Sequence, residues 1–186
     1  KLYEVTSEMH YLETAQTLTE EVFNQFYNHN NKMFAYKSHY DTPLVNETFE
    51  IYDNVISSSN SVMANNLFKL GKILNQEKYI EQAKQMLTNI EEKIHDYPTG
   101  FANWIQLYLN FAYPFKEIVI IGENALEFSK QIQQCYVPNA IFVASETESL
   151  EITQNRFIEN KTSIHICENY TCQLPVYSVE EAYKNI

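Results

Sequence analysis

Residues 114-PFKEIVIIG-122 divide this chain into two kinds of sequence. The proline ends a helical rhythm. The run from Lys116 to Gly122 is short, β-branched and bounded by a glycine, which predicts a buried strand. Downstream, Leu126, Ser129, Ile132 and Tyr136 fall on one side of a helix that Pro138 stops, and 140-AIFVAS-145 is a second strand. A polar helical piece from Leu150 to Phe157 leads to a third strand, 163-SIHIC-167, and Ser178 caps a short helix in the tail 178-SVEEAYKNI-186. Strand, helix, strand, helix, strand predicts a small parallel sheet with right-handed crossovers.

Upstream of Pro114 the period is helical. Tyr11, Ala15, Leu18, Val22 and Phe26 recur at three and four residues and form one stripe. A long polar connection with Tyr36, His39, Tyr40, Asp41 and Pro43 follows, and long ordered loops tend to carry function. In 52-YDNVISSSNSVMANNLFKLGKIL-74 the serines offer N-caps, and Met63, Leu67, Leu70 and Leu74 form a helical stripe. Tyr79, Ala83, Met86, Ile90 and Ile94 mark one more helix, ended by Pro98 and Gly100. The segment 101-FANWIQLYLNFAY-113 is apolar nearly all round and reads as a buried helix. The expected fold is mixed: α-helical hairpins over residues 1–113, then an α/β segment with a parallel sheet over 114–186.

With 186 residues the chain can bury roughly 70% of its unfolded surface without a disulfide staple. No apolar run approaches the roughly 18 residues of a membrane span, and no leader pattern is present, so the expected setting is cytoplasmic. The chain opens on Lys1 within polar, helix-like sequence, which reads as a cut made for expression. A formal charge of −11 with no basic cluster repels phosphate backbones and argues against nucleic acid as a partner; a membrane partner is not expected either. Twelve lysines accompany a single arginine, and Asn, Ile and Tyr abound, as AT-rich coding DNA would give. That skew argues against reading the 14 tyrosines and 11 phenylalanines as a stacking surface.

Three constellations invite chemistry. Gly122 ends a strand ahead of a helix, but G-E-N-A-L-E lacks the further glycines that let a backbone approach a pyrophosphate, so its glycine reads as sheet packing. No cofactor is expected. The second constellation is 163-SIHICENYTCQLP-175. His165 and Cys167 alternate on a strand and face one way. With Cys172 and Cys135 they make a nominal Cys3His zinc set, but the spacing is not that of a zinc knuckle, and no metal is expected. A redox pair and ordinary buried packing remain the other readings. In the third, Asp53, Asn60 and Ser61 sit at a helix mouth near Tyr52, Tyr40 and Tyr36. Asp53 is the candidate catalytic carboxylate, with Asn60, Ser61 and Tyr52 as candidate substrate-binding groups of a sugar cleft. The structural alternative is that Asn60 and the serines cap the helix and Asp53 supports that turn. No second, opposed carboxylate is identifiable.

The ordered set Y-D-N-V-I-S-S-S-N-S-V-M-A-N-N-L, Y-P-T-G-F-A-N-W, K-E-I-V-I-I-G, C-Y-V-P-N-A-I-F-V and C-E-N-Y-T-C-Q-L-P resembles the C-terminal portion of spermatogenesis-associated, thioredoxin-domain-containing proteins and their bacterial relatives. The resemblance runs from about Tyr11 to the end. It implies a thioredoxin-like domain outside this chain, residues 1–113 as the last hairpins of an α/α toroid of the six-hairpin glycosidase type, and 114–186 as the closing segment. In the family pattern D-x-x-x-P-S-G-N-S, Asp53, Asn60 and Ser61 match, whereas Ser57 and Ser59 replace proline and glycine. The resemblance also implies that Cys167 and Cys172 form a C-x4-C motif: a structural turn through Asn169 and Tyr170 with a reversible disulfide.

Two functions follow as expectations. One is a carbohydrate-related toroid with Asp53–Ser61 at the rim of a sugar cleft. The other is a non-catalytic binding or scaffold module serving the thioredoxin-like domain of the same full-length protein. The partners implied are that domain, a small-molecule or sugar ligand, and a second copy of the chain where earlier hairpins would otherwise cover apolar faces. No reaction is assigned.

Overall fold

The computed structural model describes residues 1–42, 47–169 and 171–186. In chain order it contains helices α1 (Leu2–Thr6) and α2 (Met9–Phe26), strands β1 (Tyr27–Asn28) and β2 (Met33–Phe34), and helices α3 (Ser59–Leu74), α4 (Glu77–Thr88) and α5 (Glu91–Asp96). A 3-10 turn (Pro98–Gly100) precedes α6 (Ala102–Ala112), β3 (Lys116–Ile121), α7 (Ala125–Ile132) and β4 (Ala140–Ser145). Another 3-10 turn (Glu151–Thr153) precedes β5 (Ser163–Glu168), β6 (Thr171–Cys172) and α8 (Val179–Asn185). The fold is mixed: a helical region followed by a small α/β segment. Among the described residues no helix is long and apolar enough to cross a membrane.

Contacts gather the chain into two units. The helical unit is Glu13–Gly71 with Gln76–Ala112. The sheet unit is Tyr113–Ile186 with Lys1–Leu12 and Lys72–Asn75, so the short α1 belongs with the sheet.

In the helical unit the α3 stripe is as expected, with Met63, Leu67 and Leu70 buried. The α2 stripe is rotated: Leu18 is exposed, while Thr19 is buried. The sequence offers two adjacent stripes there, and Phe23 selects between them by packing on Tyr27, Phe34 and Tyr79. The single helix expected over Tyr79–Ile94 is two, α4 and α5. Thr88 and Asn89 are poor helix formers, and the Asn89 amide donates to the Asn31 carbonyl at 2.7 Å instead of staying on a helix surface. Helix α6 buries Trp104 and Leu107 but exposes Tyr108 and Leu109, so it is not buried all round. A hairpin unseen in the sequence, β1–β2, follows α2; Asn28 Oδ1 turns it by accepting from the Asn30 and Asn31 N–H groups. Pro43 of the polar connection lies outside the described residues.

In the sheet unit the strand order is β4-β3-β5-β6. Strands β3 and β4 are parallel, with Lys116 opposite Ala140 and Ile121 opposite Ser145, and α7 makes the connection between them. The third strand departs from the all-parallel expectation: β5 runs antiparallel to β3. The cause is the link before it. The helix expected over Leu150–Phe157 is a single 3-10 turn, too short to carry the chain back along the sheet, so β5 starts at the end where β4 stops. Gly122, at φ 128°, lies where this link returns; a Cβ there would sit 2.6 Å from the Lys161 carbonyl oxygen. Its role is close backbone packing at the strand end.

Alternation sorts the two faces of the sheet. Ile118, Ile120, Phe142, Ala144, Ile164 and Ile166 pack with Ala125 and Ile132 of α7 and Val179 and Ala182 of α8. Tyr136, expected on the inner side of α7, lies beyond its end and is exposed. The other face carries Glu117, Val119 and Ile121 opposite Cys167, His165 and Ser163.

Candidate functional site

Asp53 follows an extended segment held by the Trp104 indole, which donates to the Ile51 carbonyl at 2.8 Å. The Asp53 N–H donates to the Gly100 carbonyl at 2.8 Å, fixing the residue beside the start of α6. Its carboxylate then joins two helix N-termini. Oδ1 accepts from the Ser58 N–H at 2.9 Å and the Ser61 hydroxyl at 2.6 Å, at the start of α3. Oδ2 accepts from the Asn103 N–H at 2.8 Å, in the first turn of α6. Helix N-termini hold unsatisfied N–H groups and partial positive charge, and a carboxylate answers both. Ser58 caps α3, its hydroxyl accepting from the Ser61 N–H at 3.2 Å.

The other candidates are engaged as well. Asn60 is fully buried: its Oδ1 accepts from the Phe34 N–H, and its Nδ2 donates to the Phe34 and Glu50 carbonyls, all within 2.8–2.9 Å. It ties β2 to the backbone at Glu50, and its side-chain hydrogen bonds go to Phe34 and Glu50. Ser61 also accepts from the Asn103 amide at 3.0 Å. Tyr52 is exposed, its ring 5.1 Å from that of Phe101. Tyr36 and Tyr40 are exposed on the long connection. Asn65 and Asn103 complete the network, Asn65 donating to the Ser61 and Asn103 carbonyls at 2.9 and 3.0 Å. The sequence reading passed over both; their signal was the pair of Asn residues in A-N-N-L and F-A-N-W at helical spacing from the caps.

The turn closed by this carboxylate lifts two apolar side chains into water. Val55 is 98% and Ile56 76% exposed. The turn is braced inside by the Asn54 N–H, which donates to the Ile56 carbonyl at 2.9 Å. An open groove of about 540 Å³ also marks the helical unit, lined by Asn31, Lys32, Gln85, Asn89 and Lys93 over Met33 and Ile90; it includes none of Asp53, Asn60 or Ser61.

At the far end of the sheet Cys167 and Cys172 face each other across β5 and β6 and are disulfide-bonded, their α-carbons 3.9 Å apart. Asn169 is left-handed at φ 49°, a conformation asparagine tolerates in turns; Tyr170 lies outside the described residues. Cys135 is free and exposed after α7, which packs on the opposite face from Cys167, so the nominal Cys3His set does not assemble. Among the described residues no group of three or more His, Cys, Asp or Glu is placed to hold a metal ion.

Buried charge surrounds Cys167. The Arg156 guanidinium donates to Cys167 Sγ at 3.0 Å. Opposite Cys167, Glu117 is 1% exposed and paired to Lys72 Nζ at 2.9 Å. Burial pulls the Arg156 guanidinium below its ordinary value, and the Glu117 carboxylate opposes that shift. Burial first, then the Arg156 charge, hold the His165 imidazole below its ordinary value; the Arg156 backbone partly counters them. Glu148 fixes the Arg156 loop by accepting from the Arg156 and Phe157 N–H groups at 2.9 and 3.0 Å, which holds its own carboxyl below the usual range.

No protein-family model matches the chain. Curated proteins do. The chain is 24% identical over 188 residues to spermatogenesis-associated protein 20 of Rattus norvegicus, across 94% of this chain and 24% of that protein. This chain is a distant homologue of spermatogenesis-associated protein 20. The Mus musculus protein of that name is 23% identical over the same shares, and an uncharacterized protein of Caenorhabditis elegans is 22% identical over 97% of this chain and 26% of its own length. The chain spans about a quarter of the length of the curated relatives it matches.

Proposed function

We propose that this chain is a non-catalytic binding module that serves a thioredoxin-like domain of a longer cytoplasmic protein, with its helical unit formed as the last hairpins of an α/α toroid. The observation that carries the reading is the Asp53 turn. Its carboxylate has three donors from the chain's own helix starts, and the loop it closes presents Val55 and Ile56 to solvent. An ordered loop with two exposed β-branched side chains is built to be covered. Relatives four times as long supply chain to cover it. A second copy of this chain is the competing occupant.

The carbohydrate reading keeps one support, the amide- and lysine-lined groove with its apolar floor, which suits a polar ligand better than the engaged Asp53 does.

The test uses the full-length protein. Replacing Val55 and Ile56 by Ser is expected to speed amide exchange or proteolysis at the contact surface of the thioredoxin-like domain, while Asp53→Asn leaves any glycoside turnover unchanged. Unchanged protection in the Val55/Ile56 variant sinks the docking reading. Loss of a measurable glycoside turnover in a folded Asp53→Asn protein reinstates the sugar cleft.

A further inference from the structure

We infer that Cys167–Cys172 is a thiol–disulfide exchange site: a dithiol reductant attacks the exposed Cys172 sulfur, and Cys167 leaves as a thiolate held by the Arg156 guanidinium. The two sulfurs are unequal. Cys172 is exposed on the short edge strand β6, and Cys167 is 1% exposed on β5. Only Cys172 offers an incoming thiolate a path. At Cys167 the Arg156 N–H lies 3.0 Å from Sγ, and a cationic donor at that distance stabilises a thiolate far more than a disulfide sulfur. A better-stabilised leaving thiolate leaves faster.

The other charged and titratable groups near this sulfur leave that advantage standing. Glu117 opposes Cys167 on β3, but Lys72 neutralises it at 2.9 Å. His165, two residues back on the same face, has its imidazole bonded to the Ser163 hydroxyl at 3.0 Å, and burial disfavours its protonation. Glu168 and Thr171, the next pair along the hairpin, lie toward solvent. The surplus charge beside Cys167 Sγ is therefore that of Arg156, the chain's single arginine.

The step balances. One thiolate of the dithiol bonds to Cys172 Sγ, the Cys167–Cys172 bond breaks, and its electron pair goes to Cys167 Sγ. The second thiol of the dithiol loses its proton to solvent and attacks its own first sulfur, closing the reductant's cyclic disulfide. Cys172 leaves and takes a proton. The dithiol is oxidised by two electrons and the protein disulfide is reduced by two. The inference is independent of the docking reading, because it needs no partner domain.

The experiment uses the 186-residue chain with dithiothreitol as reductant, acid quenching, and mass counting after alkylation. Reduction is expected to slow about tenfold in Arg156→Gln, the scale of one lost hydrogen bond to a charged group, with Arg156→Lys intermediate. In a reduced Cys135→Ser background, which leaves only these two thiols, thiolate absorption titrates one at lower pH than the other, and Arg156→Gln removes that difference. Brief exposure to 2-mercaptoethanol places the mixed disulfide on Cys172. Equal reduction rates in a folded Arg156→Gln chain overturn the inference, and so does an adduct on Cys167 or the absence of any disulfide in air-equilibrated protein. If Arg156→Gln fails to fold, the adduct position in the wild type decides alone: Cys172 supports the site and Cys167 overturns it.

Discussion

The Asp53 carboxylate and the Ser61 hydroxyl lie 2.6 Å apart, and through that contact one side chain ties the starts of α3 and α6 together. Removing the carboxylate leaves the Ser58 and Asn103 N–H groups without their acceptor. Asp53→Ala is predicted to destabilise the chain by about 2–3 kcal/mol, combining a lost cap with lost hydrogen bonds to a charged group. Urea unfolding of the variant beside wild type measures it. A loss below about 0.5 kcal/mol, the scatter of ordinary surface substitutions, means the carboxylate is not a clasp.

Gly122 carries a second prediction. Its φ of 128° is one that L side chains rarely adopt, and an added Cβ meets the backbone of Lys161 and Thr162 within 2.6–2.7 Å. Backbone cannot yield as a flexible side chain does. Gly122→Ala is predicted to cost about 2–4 kcal/mol from strain and overpacking combined. A melting temperature equal to wild type contradicts this.

These two positions show what was legible in the sequence and what was not. The β-branched run Ile118–Ile121 gave away a buried strand, because it is short, apolar and bounded by a proline and a glycine. The Asp53–Ser61 pattern gave away a helix start, since capping is local chemistry. The direction of β5 was not legible: it depends on whether Leu150–Phe157 folds as a helix, and Gln154-Asn155 leaves that stretch weak, with Asn155 left-handed in the structure at φ 59°. The partner of Cys167 was equally hidden. Arg156 is eleven residues away in sequence, on a loop whose backbone N–H donates to Glu148, and local pattern does not show that it meets the sulfur.

His165 predicts a pH dependence. Its folded value is depressed below the ordinary imidazole range, chiefly by burial. Between the folded value and the unfolded value near 6.5, the unfolded chain binds a proton that the folded chain refuses. Stability is therefore complete above the unfolded value and falls as pH drops through that window. His165→Asn is expected to flatten the stability profile as pH falls below the ordinary imidazole value near 6.5. Denaturation at several pH values in both chains tests it; parallel profiles remove the assignment to His165.

The last prediction concerns Lys72 and Glu117, whose side chains are 8% and 1% exposed and 2.9 Å apart. Burying two charges is costly, and their mutual attraction offsets that cost only while both are present. Lys72→Met leaves Glu117 facing an apolar neighbour, a change that typically costs about 3–5 kcal/mol. Arg156 also attracts Glu117, so the loss is expected toward the lower end of that range. Replacing both partners removes the stranded charge: Lys72→Met with Glu117→Leu is predicted to regain most of the lost stability, because two apolar groups need no partner. The part not regained measures what Arg156 loses when Glu117 goes. A double-mutant cycle by chemical denaturation reads all of these terms. Additive losses, with the double variant as unstable as the sum of the singles, would show that the pair contributes no coupling and that the buried charges are held by other groups.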